Sequence, residues 1–193
     1  MTIPKQSARR KELTTVAAKL FKKHSFDRTT VRMLASEAGI KSGSLFYHYR
    51  NKEEILFAVI KQGLLSSLET IKKETSKAVT VEEKLQALIL GQLKALHGKN
   101  KDAHIVSISE WRSLNKQSRQ SLIDIRDEYE AYWQGIIDLA IAGGVLKGDA
   151  KLQKLFILGA LNWTTQWYKK DHSKSIDEIA KECFESVTTG RLN

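Results

Sequence analysis

Eight residues within one short stretch carry the side-chain chemistry of polyanion recognition: Thr30, Lys41, Ser42, Gly43, Ser44, Tyr47, His48 and Lys52. Hydroxyl and ammonium groups bind phosphates and base edges, and glycine lets a backbone approach a ligand closely. Catalytic patterns are weak by contrast. There is no Gly-x-Gly-x-x-Gly, no P-loop and no His-Glu-x-x-His. The five histidines, at 24, 48, 97, 104 and 172, lack metal-ligand spacing. Acid pairs such as Asp127–Glu128 fall on amphipathic helices, where a solvated face explains them. Cys183 is the single cysteine, which excludes an intrachain disulfide and a cysteine-based zinc cluster. No enzyme, catalytic residue, metal or cofactor is expected.

The elements that must position these side chains are short helices. Leu13, Val16, Ala17, Leu20 and Phe21 recur at helical spacing and give the first helix one apolar face. Ser25 to Thr29 form a break. Thr30 is a good N-cap for a second helix, Val31 to Ala38, and Gly39 a good stop. A third helix is predicted from Ser42 or Gly43 to Tyr49. Asn51 with Glu54 makes a capping box for a fourth, starting at Lys52. Ala35 is small where the second and third helices cross, and Ile40 and Leu45 return to the core. Phe46 is assigned to the core, and Tyr49 to either role. This is a helix-turn-helix pattern, and its third helix has the size to enter a DNA major groove.

Charge agrees with that reading. The 193 residues carry a formal net charge of +10, and residues 1–52 hold 12 Lys/Arg against 3 acids. The remaining 141 residues are nearly balanced, with 20 basic and 19 acidic side chains. A polyanion-binding head on a neutral body fits this asymmetry. Thr30 offers a hydroxyl and a backbone N–H to phosphate at a helix N-terminus. Lys41, Ser42 and Ser44 lead the third helix toward base edges, Gly43 permits close approach, and Lys52 places its charge at the start of the fourth helix. Arg28 and Arg32 are either phosphate contacts or solvated.

The segment Phe26 to Leu56, FDRTTVRMLASEAGIKSGSLFYHYRNKEEIL, closely resembles the signature of the TetR family of bacterial transcriptional regulators. The resemblance lies in the Thr pair, the Ala-x-x-x-Gly turn, the Gly-Ser-Leu-Phe-Tyr-His-Tyr run and the Asn-Lys-Glu-Glu that follows. It implies a homodimer binding double-stranded operator DNA, with a DNA-reading domain at 1–51 and a ligand-sensing and dimerisation domain at 52–193. In the family pattern the tyrosine, here Tyr47, touches backbone or bases and the histidine, here His48, touches phosphate.

The body also reads as helical, giving an all-α chain of about nine helices. Long helices are predicted over Lys52–Ser76 and Lys116–Ala142, with a shorter one over Asp102–Leu114. The helix from Asp149 to Lys169 is apolar around much of its circumference, so it is expected to be buried on more than one side. Together with the last helix it supplies the expected dimer contacts, Leu158, Leu161, Phe184 and Val187. Trp163 and Trp167, with Asn162 beside them and Lys169 at the end, are either a core pair or an apolar slot with a basic mouth. Trp111 and Arg112 are candidates for another part of that slot. The Leu-Asn-Trp…Trp-Tyr run resembles TetR-family members that sense acyl-CoA thioesters. An acyl-CoA offers a hydrophobic acyl group and anionic phosphates to match.

The expected protein is thus a repressor released by a small hydrophobic or acyl-CoA-type effector, which would tilt the Lys52–Ser76 helix and move the two heads out of register. The alternatives are an architectural DNA-binding protein without ligand, a regulator answering a different hydrophobic molecule, and a helical enzyme with an incidental basic head. The longest uncharged stretch, Leu155–Tyr168, has 14 residues, short of a membrane span. With no visible secretory signal and one cysteine, a cytoplasmic location is expected.

Overall fold

The computed structural model describes residues 5–169, 171 and 174–188, with side chains from residue 8 onward. Ten α-helices form among the described residues, and no strand. They are α1 (Lys5–Arg28), α2 (Val31–Glu37), α3 (Ser42–Leu45), α4 (Lys52–Thr75), α5 (Val81–His97), α6 (Lys101–Ser109), α7 (Lys116–Gln120), α8 (Ile123–Ala142), α9 (Ala150–Trp167) and α10 (Ile176–Thr188). A single 3-10 turn, Trp111–Ser113, follows α6. The chain is all-α, as expected. The long helix predicted over Lys116–Ala142 is two, because Ser121 and Leu122 turn the chain and Leu122 is fully buried.

The chain divides into two compact units, and the division is not the one at residue 51. One unit comprises Met1–Leu65 with Lys101–Ile123, and the other Ser66–Asn100 with Asp124–Asn193. α6 and α7, read from sequence as body, therefore belong with the helix-turn-helix. α4 contributes residues to both units.

In the first unit α1 packs along α6, and Leu13, Ala17, Leu20 and Phe21 form its buried stripe. Each such side chain removed from water contributes roughly 1.5–3 kcal/mol, less for alanine. Leu34, Leu45, Ile55 and Leu56 close the core from α2, α3 and α4. At Gly63 the backbones of α4 and α6 approach closely. A Cβ there would sit 2.2 Å from the Ala103 carbonyl oxygen and 3.1 Å from the His104 Cα, so only glycine fits.

His104 itself is buried, and burial pushes its pKa down to about 4. It stays neutral in the folded protein at a pH where the unfolded chain, titrating near 6.5, already takes up the proton. Its contribution to stability is complete above about pH 6.5. It is lost as the pH falls toward 4, at a slope of at most about 1.4 kcal/mol per pH unit. Denaturant midpoints between pH 7 and pH 5 check this: His104→Gln should flatten the decline, and an unchanged slope would show that His104 does not titrate in this window.

In the second unit α5 is central, with α9 and α10 packed on it. Leu85, Leu88, Ile89, Leu93 and Leu96 are essentially inaccessible. Trp133 and Ile137 of α8 add to this core. Gly91 lets α5 approach α4, since its Cβ would lie 3.0 Å from the Ile71 Cα.

Candidate nucleic-acid interface

α2 starts on Thr30, whose side chain accepts the Met33 N–H at 3.2 Å. It ends on Gly39, at φ 65°. The Gly39 N–H donates to Ser36 O at 3.1 Å and the Ile40 N–H to Ala35 O at 2.9 Å, a Schellman stop. This left-handed turn aims the chain from α2 into α3. α3 is shorter than predicted. After Leu45 the backbone tightens into turns, with Phe46, Tyr47 and His48 bonding to the carbonyls three residues back.

What α3 presents outward is chemically consistent. Thr30, Lys41 and Gly43 are exposed, Ser42 and Ser44 are half-buried, and Tyr47 is 82% exposed. Inverting the expectation, Phe46 is outside the core at 51% exposure. The tight turns after Leu45 rotate it off the inner face that Leu45 occupies. Tyr49 is buried and structural: its hydroxyl lies 2.6 Å from Thr14 Oγ1 and donates to Arg10 O at 3.0 Å, while the Arg10 guanidinium sits over its ring. His48 is half-buried, with its Nδ1 lacking a hydrogen-bond partner among the described residues.

Lys52 opens α4 as expected and also has partners within the protein. Its ammonium donates to Phe26 O at 2.9 Å and Thr29 O at 3.1 Å, and lies 4.2 Å from the centroid of the Phe26 ring. Two of the three ammonium donors thus go to backbone carbonyls of the protein itself. Arg28, Arg32 and Arg50 are exposed nearby in sequence.

The residues expected to share a ligand slot fall in different compact units. Trp111 and Arg112 lie in the 3-10 turn of the first unit, and Asn162, Trp163, Trp167 and Lys169 in the second. On α9 Asn162 faces inward, accepting from Gln92 Nε2 at 2.9 Å, and Gln92 Oε1 in turn accepts from the Tyr129 hydroxyl at 2.7 Å. Burial, with the Glu130 charge adding to it, holds that hydroxyl above the usual tyrosine range. Trp163 points the other way, 67% exposed, while Trp167, 46% exposed, borders the cleft between α9 and α10. Neither lies in the buried core.

The residues expected at the dimer contact differ in exposure. Leu161 is buried within the protomer and Leu158 half-buried, because both lie on the inner side of α9. Phe184 and Val187 are half-buried on α10, which packs against α5. The outer side of α9 carries Leu152, Leu155, Phe156, Gly159 and Trp163, all exposed. An open cleft of roughly 530 Å³ runs between α9 and α10, lined by Leu161, Thr164, Trp167, Tyr168, Ile179 and Cys183 among others. Burial pushes the Cys183 thiol pKa up. Among the described residues no helix is long and apolar enough to cross a membrane.

A capped α2, a left-handed glycine turn and an outward-facing α3 on a basic head define a helix-turn-helix DNA-binding regulator. The chain belongs to the TetR family: the family described as "Bacterial regulatory proteins, tetR family" matches residues 13–59, and "Tetracyclin repressor-like, C-terminal domain" matches 78–190. It is similar to the HTH-type transcriptional repressor KstR2 of Rhodococcus jostii (strain RHA1), at 25% identity over 96% of this chain and 92% of that protein. The crystal structure of superantigen PfiT matches at 36% identity and TM-score 0.77, covering 98% of this chain and 100% of that one. The structure of AibR in complex with isovaleryl coenzyme A and operator DNA shares the fold at TM-score 0.84 and 20% identity, over 93% and 98% of the two chains.

Proposed function

We propose that this regulator is a homodimeric repressor that reads operator DNA with α3 and is released by an amphipathic effector of acyl-CoA type. The observation that carries the DNA-reading part is the exposed face of Lys41, Gly43 and Tyr47 behind the Gly39 turn. Thr30, Ser42, Ser44 and His48 complete the proposed contacts. Two copies of α3 would meet successive major grooves about 34–36 Å apart, or a close multiple. The apolar outer stripe of α9 supports dimerisation, since exposed apolar patches of this kind mark interaction surfaces.

The effector part draws on the relatives. One is named as a repressor, and another was solved with an acyl-CoA and operator DNA. PfiT has the same fold under another description, so fold likeness alone does not choose the effector. Asn162, half-buried and hydrogen-bonded in line with Gln92 and Tyr129, is the polar group of the second unit that this reading assigns to the effector. Trp163, being exposed, is reassigned to the partner surface. An effector shifts the equilibrium only if it binds the released state more tightly.

The test titrates the protein–operator complex with acyl-CoAs of several chain lengths, free fatty acids and CoA alone. Release by an acyl-CoA, at concentrations where CoA and the free acid do nothing, is expected. An operator complex indifferent to every acyl-CoA would remove the effector while leaving the DNA reading intact.

A further inference from the structure

α1 kinks at Ser25, three residues before its end, and the turn Ser25–Thr29 leads from that kink to α2. Ser25 has φ 67° and ψ 164°, a backbone region that is costly for any residue with a Cβ. It is the only non-glycine residue with positive φ among those described. Such a conformation persists only where its surroundings over-determine it. Thr29 contributes locally: it is fully buried, and its hydroxyl donates to Ser25 O at 2.7 Å.

The rest of the restraint comes from two charged side chains remote in sequence. Both polar groups of Phe26 are taken by them. The Phe26 N–H donates to Glu110 Oε1 at 3.1 Å, and the Phe26 carbonyl accepts from Lys52 Nζ at 2.9 Å. The same ammonium reaches Thr29 O at 3.1 Å, and the Phe26 ring lies beneath it. Glu110 is steadied in turn, its Oε2 accepting from the Ser113 hydroxyl at 2.6 Å. The residue after Thr29 is Thr30, the cap of α2. All these residues belong to one compact unit.

We infer that Glu110 and Lys52 are positioning residues for DNA reading: together they clamp the Ser25–Thr29 turn and so fix Thr30 and the start of α2. A carboxylate in a head built to meet phosphates opposes binding electrostatically. Its hydrogen bond to the Phe26 N–H gives it a reason to be there.

That opposition sets the sign of the test. If Glu110 acts through charge alone, removing it tightens DNA binding. If it acts by holding the turn, removing it weakens binding. Glu110→Met deletes the acceptor, and Glu110→Gln deletes the charge but keeps an acceptor oxygen. At a temperature where every variant is folded, Glu110→Met should bind operator about tenfold more weakly, the scale of one lost charge-assisted hydrogen bond. Glu110→Gln should recover most of that affinity. Lys52→Met should weaken binding with the wild-type salt dependence, whereas a phosphate contact would lower the log–log slope by about one. Amide exchange at Phe26, measured without DNA, should quicken in Glu110→Met and stay near wild type in Glu110→Gln.

The inference rests on the proposed DNA-binding function, and the two fail differently. A wild-type protein that ignores DNA ends the functional reading, and Phe26 exchange then judges the clamp alone. Both Glu110 variants binding as tightly as wild type or tighter, or Phe26 exchange unchanged in Glu110→Met, would overturn the role of Glu110. A slope lowered by about one in Lys52→Met would return Lys52 to the phosphate contacts.

Discussion

Gly43→Glu should abolish operator binding while leaving the fold intact. Gly43 lies inside α3, and a Cβ built there meets nothing within 4 Å. Its φ is not in the left-handed region, so a side chain costs no backbone strain. Replacing a helical glycine removes a penalty of roughly 0.5–1 kcal/mol, so the thermal midpoint should hold or rise. On DNA the same carboxylate would sit at the leading turn of α3, against phosphates and base edges. Steric exclusion and like-charge repulsion then act together, and the affinity loss should be on the order of a hundredfold or more. Fluorescence anisotropy with a labelled operator, beside a thermal melt, checks both halves. An unchanged affinity would mean that α3 does not face DNA.

Phe156→Glu should split the dimer and carry operator affinity down with it. Phe156 is 68% exposed on the outer side of α9, among Leu152, Leu155 and Trp163. A carboxylate there is harmless to a monomer, because it stands in water. Between two copies it would be desolvated opposite its own symmetry mate, which is costly. Each head would then bind alone, without the effective concentration that joining two heads supplies, a factor of roughly 10²–10⁴. Sedimentation should show a dimer for the wild type at micromolar concentration and a monomer for the variant. A folded Phe156→Glu protein that remains dimeric would move the interface elsewhere.

The local features were legible because their causes are local. Thr30 caps α2 as expected, and Thr80–Glu83 and Ser175–Glu178 form reciprocal boxes at the starts of α5 and α10. Asn51 caps α4, although the Glu54 carboxylate returns to the Arg50 N–H instead of to Asn51 itself. Gly39 takes the positive φ that the turn requires. The faces of α9 were not legible. Apolar on nearly every side, the helix announces two buried faces without saying which is inner, so Leu161 and Trp163 were placed on the wrong ones. The tight turns after Leu45 carry no glycine or proline signal, and Phe46 was misplaced for that reason. Glu110 and Lys52 reach Phe26 across 84 and 26 residues of sequence. Nothing in a periodicity or a spacing marks such a pairing.

On the proposed function α3 reads duplex DNA in a sequence-dependent way. Selection of binding sites from a randomised duplex library, followed by salt titration of the winning site, tests it most directly. The expected result is enrichment of an inverted repeat whose half-sites lie one helical turn, or a close multiple, apart. Affinity for that repeat should fall steeply with salt, by a log–log slope of about −0.9 for each phosphate neutralised. No enriched sequence, and no retained duplex even at low salt, would contradict it.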